Sequence, residues 1–390
     1  MGQILIGLTT SLVSFVAGIL FHSAKTRFQS KRVSSIQQRQ GQERLPVYAR
    51  DWILRYYATN GRTLELFSIE AFGALHSVPF LTKPLWCSGE FNEDDLIVQT
   101  IPHAKSTVPV VKSILKERGH FMSGVDGDEV WNDLLVCVKG IDDTKGRPRI
   151  SVHLAEYFQY LSACGALEDE TYRAIRNARQ GTPLRDRFLS SLEKAKTAGL
   201  GAHGLGMQVA VVYPQGNSFR VLIQERSRNV ALYGGGLAAV PVFGCQTLDI
   251  SAQSRVSLFH NFLREMYEEL YGGELVQRPR GSVNSSWFYA EEPVARLIAA
   301  KGSGDLVFQI TGFGFDALNG EVNIAAVAHL RSEEFALREV ERMQANWEIQ
   351  HVTPWDLLGV DLEKCLVNGT FSPGSAFALE RARQYIRSLG

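Results

Sequence analysis

The feature that most constrains this chain is an uncharged apolar run near its N-terminus. Residues 3–21 contain no Asp, Glu, Lys or Arg, and their apolar side chains surround the whole helix circumference rather than forming one stripe. At about 1.5 Å per residue, a helix over this run is roughly 28 Å long, close to the thickness of the hydrocarbon core of a bilayer. The run therefore predicts a single transmembrane helix over residues 3–22.

The charges that follow this run set its predicted orientation. Between residues 22 and 50 the one acidic residue is Glu43, and the basic residues are Lys25, Arg27, Lys31, Arg32, Arg39, Arg44 and Arg50. Basic flanks of membrane helices remain in the cytoplasm, so we expect a single-pass protein of the inner cell membrane whose C-terminal part is cytoplasmic. A cleaved signal peptide is the main alternative, but such peptides begin with a basic region, and residues 1–3 have no basic side chain.

Small residues line one side of the predicted membrane helix. Gly7, Ser11, Ser14 and Gly18 are spaced by four, three and four positions, which puts them on one helix face. Such a stripe lets two membrane helices approach closely and predicts a homo-oligomer formed through this helix. The alternative is that small residues are simply common in membrane helices.

The composition excludes some classes of partner and site. The chain has 41 acidic and 41 basic residues, so no net charge attracts nucleic acid, and we expect no nucleic-acid partner. Its five cysteines are scattered, without the paired spacing of a zinc site or a redox pair. We therefore expect reduced thiols in a reducing compartment.

After the membrane segment, the sequence predicts a linker and two folded regions. Residues 23–44 are polar and rich in Gln, Ser and Arg, which is typical of a juxtamembrane linker. Residues 45–200 follow as a mixed α/β region of unknown role. Its predicted elements are a helix over 47–57, a strand over 95–101, apolar runs over 130–140 and 149–160 joined by a hairpin turn at 142–146, and a helix between Thr182 and Gly199.

Residues 201–390 form the second folded region, in which strands and helices alternate. Its strands form two hairpins, one around a turn at 214–217 and one around Asn319-Gly320, a strong hairpin signal. The predicted elements are strands over 206–213, 218–225, 305–315 and 322–330, a glycine-rich loop at 234–236, helices over 254–271, 332–345 and 375–389, and a segment over 348–358.

The predicted helix over 254–271 carries apolar and acidic residues on opposite sides. Its apolar stripe consists of Val256, Phe259, Leu263, Met266 and Leu270. The other side carries Glu265, Glu268 and Glu269, whose spacing brings three carboxylates together within one turn. A hard divalent cation such as Mg²⁺ relieves the repulsion between such carboxylates. The alternative is a solvated acidic face without a ligand.

The segment Arg264-Glu265-Met266-Tyr267-Glu268-Glu269 resembles the core of the Nudix box, Arg-Glu-apolar-x-Glu-Glu. It follows two strands and a glycine-rich loop, as in Nudix domains, and residues 352–357 are similar to a late segment of many family members. The resemblance covers about residues 201–390 and implies an α/β/α sandwich there. The expected fold class is α/β, with one N-terminal transmembrane helix, a mixed α/β middle region and a C-terminal Nudix-like domain.

The resemblance also implies roles for individual residues. Nudix hydrolases cleave nucleoside diphosphates linked to another group, using water activated by a metal ion. By position, Glu268 and Glu269 would be ligands of Mg²⁺ or Mn²⁺. Glu265 would be a ligand or the general base, and Arg264 would orient the glutamates.

Candidates for substrate binding lie before this helix. Arg226, at the end of a predicted strand, is a candidate contact for an anionic group. Gly235 and Gly236 are candidates for cradling phosphate through their backbone amides, and a plain loop is the alternative.

The sequence departs from the family pattern at two positions of the box, and before the box Pro241-Val242-Phe243-Gly244 replaces the usual Pro-Gly-Gly entry. The pattern has a glutamate eight residues before Arg264, where this chain has Val256, and a glycine where Tyr271 stands. A missing acidic residue weakens the case for hydrolysis more than the case for the fold, because fold and activity are separate properties.

Two classes of function follow. The first is a membrane-anchored Nudix hydrolase that acts on a nucleotide or a nucleotide conjugate. The second is a nucleotide sensor without efficient turnover, because a membrane helix joined to a divergent Nudix-like domain resembles the effectors of bacterial cyclic-oligonucleotide anti-phage systems. That resemblance implies a nucleotide or cyclic oligonucleotide ligand. A membrane-tethered scaffold with an acidic surface helix is a third interpretation.

Overall fold

The computed structural model describes residues 47–87, 91–100, 134–177, 179–197, 201–227, 233, 235–246, 256–273, 285–346 and 349–390. The predicted membrane helix over 3–22 and the predicted linker over 23–44 lie outside these ranges. No helix within them is long and apolar enough to cross a membrane. The anchor and its orientation remain predictions.

The strands of the described ranges form one mixed sheet. They are β1 (Leu66–Ala71), β2 (Ala74–Leu81), β3 (Ile97–Thr100), β4 (Leu134–Asp142), β5 (Arg149–Glu156), β6 (His203–Gln215), β7 (Ser218–Arg226), β8 (Leu237–Ala239), β9 (Val242–Gly244), β10 (Leu306–Asp316), β11 (Val322–Leu330) and β12 (Ile349–Asp356).

The α-helices of the same ranges flank this sheet. They are α1 (Val47–Thr59), α2 (Glu93–Leu96), α3 (Tyr157–Arg176), α4 (Pro183–Phe188), α5 (Leu192–Ala195), α6 (Leu258–Glu265), α7 (Glu292–Ser303), α8 (Glu333–Glu341), α9 (Val360–Val367) and α10 (Pro373–Arg387).

Strand β6 is the centre of the sheet. One of its edges runs parallel to β11, from Leu205 opposite Val322 to Val212 opposite His329. Its other edge pairs antiparallel with β4, β9 and β7 in succession. The longest path through the sheet has the order β1-β2-β10-β11-β6-β4-β5-β3, and β7 extends it sideways by pairing with β8 and β12. Because three strands share one edge of β6, the sheet is curled.

Alternating side chains along β6 face two different helix layers. Val209 packs in the apolar cluster that contains Leu263 of α6, whereas its neighbour Ala210 packs in the cluster that contains Phe377 of α10. The alternation is the period of two that a strand imposes on its side chains. The sheet therefore lies between helices on both faces, which agrees with the α/β/α sandwich predicted for residues 201–390.

Strands from both sides of residue 200 belong to this sheet. Strand β2 pairs with β10 through Leu81 opposite Phe315. Strand β4 pairs with β6 through Cys137 opposite Gly204. The boundary predicted at residue 200 therefore falls within a continuous sheet, and the region over 45–200 contributes directly to the framework of the region that follows.

Arg185 links the region over 45–200 to the region over 201–390 by hydrogen bonds to the β10–β11 turn. Its side chain is fully buried. The guanidinium donates from Nη1 to the carbonyl of Ala317, and from Nη2 to the carbonyl of Leu318 at 2.8 Å and to Thr171 Oγ1 at 2.7 Å. Its backbone N–H donates to Glu170 Oε2 at 2.8 Å, so that Glu170 caps the start of α4. A single side chain thus ties α3 and α4 to the turn.

Most predicted elements occur with shifted ends, and two differ in kind. The hairpins β6–β7 and β10–β11 form as predicted. The run over 149–160 is strand β5 followed by α3, because Glu156 and Gln159 form a capping box that starts a helix at Tyr157. The helix predicted between Thr182 and Gly199 is instead two short helices, because Ser191 is extended and caps α5 with its hydroxyl.

Replacement of Arg185 by methionine tests this link between the regions. Arg185→Met keeps most of the side-chain volume but leaves the buried carbonyls of Ala317 and Leu318 without these donors. We expect the free energy of unfolding to fall by roughly 3 kcal/mol or more, measured by urea denaturation. The exposed Arg187 is the control, and Arg187→Met should change stability by less than about 0.5 kcal/mol. Equal free energies of unfolding of the two variants would contradict the role of Arg185 as a link between the two regions.

Candidate functional site

The glutamate-bearing helix is shorter than predicted and changes its winding midway. It is α-helical over Leu258–Glu265 and continues as a π-helical turn over Met266–Leu270. Ser257 is its N-cap, since Ser257 Oγ accepts from the backbone N–H of His260 at 3.2 Å. The helix starts later than the predicted residue 254, because Ser257 is extended and is the N-cap.

The predicted apolar stripe of this helix packs into the core. Val256, Leu263, Met266 and Leu270 are buried, whereas Phe259 is half-buried. The ring of Phe259 lies 5.4 Å from that of Phe308 on β10. These contacts place one side of α6 against the sheet, as the spacing predicted. Glu265, Glu268 and Glu269 are buried as well, so the alternative of a solvated acidic face is wrong.

Arg264 is fully buried and pairs with two of the predicted metal ligands. Its Nη1 lies 2.6 Å from Glu265 Oε1 and 3.0 Å from Glu268 Oε2. Both glutamates are also nearly buried. Leaving any of these charges unpaired in the interior would cost several kcal/mol, so the arginine and its carboxylates form one unit. The structure thus brings together three of the four predicted catalytic residues.

The fourth residue, Glu269, lies in the π-helical turn, which the segment before β12 supports. The carbonyl of Glu269 accepts from the N–H of Asn346 at 3.0 Å, and that of Leu270 accepts from the N–H of Gln344 at 2.6 Å. Asn346 also donates from Nδ2 to the carbonyl of Glu268 at 3.2 Å. A neighbouring segment therefore supports the carbonyls of this turn in addition to the turn's own π-helical bonds.

Tyr271, at the position where the Nudix pattern has glycine, anchors the end of this turn. Its hydroxyl donates to Glu339 Oε2 of α8 at 2.9 Å. Arg296 of α7 donates to both carboxylate oxygens of Glu339, at 2.9 and 3.0 Å. The substitution thus ties the glutamate turn to two further helices.

The carboxylates of α6 are of the right chemical type to bind a hard divalent cation. Their side chains, however, are not arranged as a metal site in this structure. Carboxylate oxygens are the ligands that Mg²⁺ and Mn²⁺ prefer. Among the residues that the structure describes, however, no group of three or more His, Cys, Asp or Glu side chains has the geometry to hold a metal ion. In this arrangement Arg264 pairs with Glu265 and Glu268. The metal remains a prediction.

The predicted substrate-binding residues lie together at the end of β7. The N–H of Gly235 donates to the carbonyl of Arg226 at 3.0 Å, and the N–H of Gly236 donates to the carbonyl of Tyr233 at 3.2 Å. Both amides are thus engaged within the loop, and neither is left to cradle a phosphate. The Arg226 side chain is half-buried, and its Nε has no hydrogen-bond partner among the described residues.

Arg226 and the glutamate turn adjoin the same short segment. Arg226 is opposite Ile349 in the β7–β12 pairing. The N–H of Ile349 donates to the carbonyl of Asn346 at 3.3 Å, and Asn346 is the residue that binds the backbone of Glu269. The backbones of Arg226 and Glu269 are therefore connected through Ile349 and Asn346.

Two carboxylates that flank the β10–β11 turn, the buried Asp316 and the half-buried Glu321, were not singled out by the sequence. Asp316 ends β10 and accepts from the Tyr233 hydroxyl, and from the N–H of Leu318 at 2.8 Å. Glu321 precedes β11 and accepts from the Tyr160 hydroxyl at 2.9 Å. Their position on both sides of Asn319-Gly320 was visible in the sequence, but turn residues are usually solvated, so nothing there indicated burial.

Burial dominates the acid–base behaviour of this pair. It raises the pKa of Asp316 to about 7, against the lowering effect of the bonds from Tyr233 and Leu318, and the charge of Glu321 raises it further. Burial also raises the pKa of Glu321, while its bond from Tyr160 and the nearby positive charge of Arg226 act in the opposite direction. Both carboxyl groups therefore favour the protonated form more than an exposed carboxyl group does.

The chain was compared with known proteins and structures. No protein-family model matches it, and no curated protein sequence matches it. Among solved structures, it is similar to the NUDIX domain of Shewanella oneidensis NrtR complexed with ADP ribose, at 14% identity and a TM-score of 0.29, over 47% of this chain and 89% of that chain.

Two further solved structures are similar to this chain, with comparably low sequence identities and TM-scores. One is a Caenorhabditis elegans Ap4A hydrolase, at 9% identity and a TM-score of 0.25, over 47% of this chain and 98% of that chain. The other is a bifunctional NMN adenylyltransferase/ADP ribose pyrophosphatase from Francisella tularensis complexed with AMP and Mn, at 11% identity and a TM-score of 0.28, over 56% of this chain and 53% of that chain. Similarity at this distance does not establish a family.

The raised pKa of Asp316 predicts a distinct dependence of stability on pH. The folded chain retains a proton on Asp316 up to about pH 7, whereas the unfolded chain releases it near pH 4. The contribution of this group to stability is therefore complete below about pH 4 and is lost as the pH rises to about 7. Asp316→Asn cannot lose a proton and so avoids this loss of stability. We therefore expect the free energy of unfolding of the variant to exceed that of the wild type by roughly 2–4 kcal/mol at pH 8.

Thermal unfolding of the two proteins between pH 4.5 and pH 8 measures this difference. The stability curves should converge toward the acidic end, where the wild-type carboxyl group is protonated. A difference that stays constant over the whole range would show that Asp316 does not titrate there.

Proposed function

We propose that this chain is a Nudix-like protein that binds a nucleoside diphosphate conjugate, with Mg²⁺ or Mn²⁺ at the glutamates of α6. The observation that carries the proposal is the buried guanidinium of Arg264, which contacts Glu265 and Glu268 within the Arg-Glu-x-x-Glu-Glu segment. The Nudix resemblance implies an arginine at this position that orients the glutamates. The contacts of Arg264 are those that such a role requires.

Glu265, Glu268 and Glu269 would hold the metal ion. Their side chains lie in a nearly water-free environment, where a carboxylate interacts more strongly with a cation than it does in water. When bound, the cation would neutralise charge on the pyrophosphate and lower the pKa of a coordinated water.

Arg226 would supply the contact to the diphosphate. Its Nε is buried and has no hydrogen-bond partner among the described residues, so a phosphate oxygen that reached it would satisfy this N–H. The backbones of Arg226 and Glu269 are connected through Ile349 and Asn346. A ligand that bridges Arg226 and a metal at α6 would place its pyrophosphate between the two.

A second candidate is a nucleotide sensor that binds its ligand without efficient turnover. The observation that favours it is Val256, which replaces the first glutamate of the Nudix pattern and is buried in the core with 4% of its surface exposed. No side-chain ligand is available at that position. Such a sensor would fit an effector of cyclic-oligonucleotide anti-phage signalling, in which the ligand state is passed to the predicted membrane helix.

A cleavage and binding assay on the full-length chain in detergent separates these functions. The panel contains ADP ribose, Ap4A and cyclic oligonucleotides, each with Mn²⁺ or Mg²⁺. We expect Glu268→Gln and Glu269→Gln to reduce cleavage by about 100-fold or more, because each removes a charged ligand of the metal. Glu334→Gln on α8 is the matched control, since 81% of the Glu334 side chain is exposed, and it should retain full activity.

Each outcome of the assay decides between the candidates. Cleavage that depends on both glutamates supports the hydrolase. Ligand binding without cleavage, unchanged in both glutamine variants, supports the sensor. A folded chain that neither binds nor cleaves any member of the panel contradicts both and leaves the scaffold interpretation.

The membrane anchor belongs to the same proposal. Residues 3–22 would cross the inner membrane once, with residues 23–390 in the cytoplasm, and the stripe of small residues would pair two copies. Extraction of bacterial membranes at alkaline pH tests the anchor. The full-length chain should stay in the membrane pellet, and its release into the supernatant would contradict the anchor.

A further inference from the structure

A carboxylate from the region before residue 200 lies at the start of the glutamate-bearing helix. Glu93 Oε2 accepts from the backbone N–H groups of Leu258 and Phe259, at 2.7 and 3.0 Å. Its Oε1 accepts from the Ser257 hydroxyl at 3.3 Å. The first N–H groups of a helix have no partners within the helix, so Glu93 satisfies two donors that α6 itself leaves open.

Glu93 complements the cap that the helix supplies itself. Ser257 Oγ accepts from the N–H of His260 at 3.2 Å, while the carboxylate of Glu93 accepts from the two preceding N–H groups. The pair acts like a capping box in which the acidic residue comes from a distant segment instead of from the third helical position. A negative charge at this end also interacts favourably with the positive end of the helix dipole.

The segment that carries Glu93 is itself fixed to the sheet. The N–H of Phe91 donates to the carbonyl of Ile310 on β10 at 3.5 Å, and the Phe91 ring lies 5.9 Å from that of Phe313. Asn92 caps the short helix α2 by accepting from the N–H of Asp94 at 3.1 Å. The segment that carries Glu93 is thus held against β10, and from there the carboxylate of Glu93 contacts the start of α6.

The length of the helix separates Glu93 from the candidate metal ligands. Glu268 is ten residues beyond Leu258, which corresponds to about 15 Å along a helix. A metal ion that binds Glu268 is therefore out of reach of Glu93. Any effect of Glu93 on that site passes through the position of the helix.

We propose that Glu93 is a positioning residue that fixes the start of α6 and thereby holds Glu265, Glu268 and Glu269 in place. This inference rests on the proposed function for its effect on metal binding, but not for its effect on the helix. It gives the region over 45–200 a role in the candidate site. The short α-helical part of α6 needs such support, because isolated helices of this length are marginal in water.

Two readouts on the full-length chain test this inference. The first is amide hydrogen exchange in the peptide that covers Leu258–Glu265. We expect exchange to be about fivefold to tenfold faster in Glu93→Ala, as for the loss of a helix cap, and about twofold faster in Glu93→Gln, which keeps one acceptor. Asp94→Asn removes the same charge from the exposed neighbouring residue and should leave exchange unchanged.

The second readout is the Mn²⁺ concentration for half-maximal binding or activity. It should rise about threefold in Glu93→Ala and recover most of the way in Glu93→Gln, while the KM for the nucleotide stays constant. A partly unfolded variant would instead lose maximal activity without a shift in half-saturation.

Unchanged exchange in Glu93→Ala overturns the inference. Faster exchange with an unchanged Mn²⁺ requirement also overturns it, because Glu93 would then stabilise the helix without positioning the ligands. If the wild type binds no Mn²⁺, the proposed metal site fails, and the exchange comparison alone decides whether Glu93 holds α6.

Discussion

The parallel pairing of β6 with β11 is the constraint on which the rest of this structure depends. Parallel strands are normally buried on both faces. Here the side chains of β6 alternate between an apolar cluster shared with α6 and another shared with α10. The opposite edge of β6 accepts β4, β9 and β7 in turn, so the region before residue 200 joins the same sheet. The glutamate-bearing helix owes its place to this arrangement, since its apolar side packs on the face that β6 and β11 create.

Around the glutamates of that helix, the dominant interaction is electrostatic. Arg264 is buried with Glu265 and Glu268, and a charge of either sign left unpaired there would be strongly destabilising. The arginine and its two carboxylates therefore stabilise one another. Val256, where the Nudix pattern has a glutamate, is the feature that favours the proposed sensor over the proposed hydrolase. Glu93 at one end of the helix and Tyr271 at the other hold the site between elements that are distant in sequence.

Local signals in the sequence were sufficient for the hairpins, for most helices and for the apolar stripe of α6, because turn residues, caps and periodicity act over a few positions. They were not sufficient where long-range contacts decide. The extended cap at Ser191 divides one predicted helix into two, the amides of Gly235 and Gly236 close their own loop, and Asp316 is buried by strands and side chains far along the chain. Glu93 had no visible signal, since its partners lie more than 160 residues away. The predicted membrane helix and linker lie outside the described residues.

We propose that the carboxylates of α6 hold a divalent metal ion when a nucleotide is bound. The most direct test is a crystal structure of the chain with Mn²⁺ and a non-hydrolysable ADP ribose analogue, in which anomalous scattering locates the metal. We expect an anomalous peak within coordination distance of oxygens from Glu268 and Glu269, with the pyrophosphate between this peak and Arg226. A bound nucleotide whose Mn²⁺ lies away from α6, or one that binds with no metal peak at all, would contradict it.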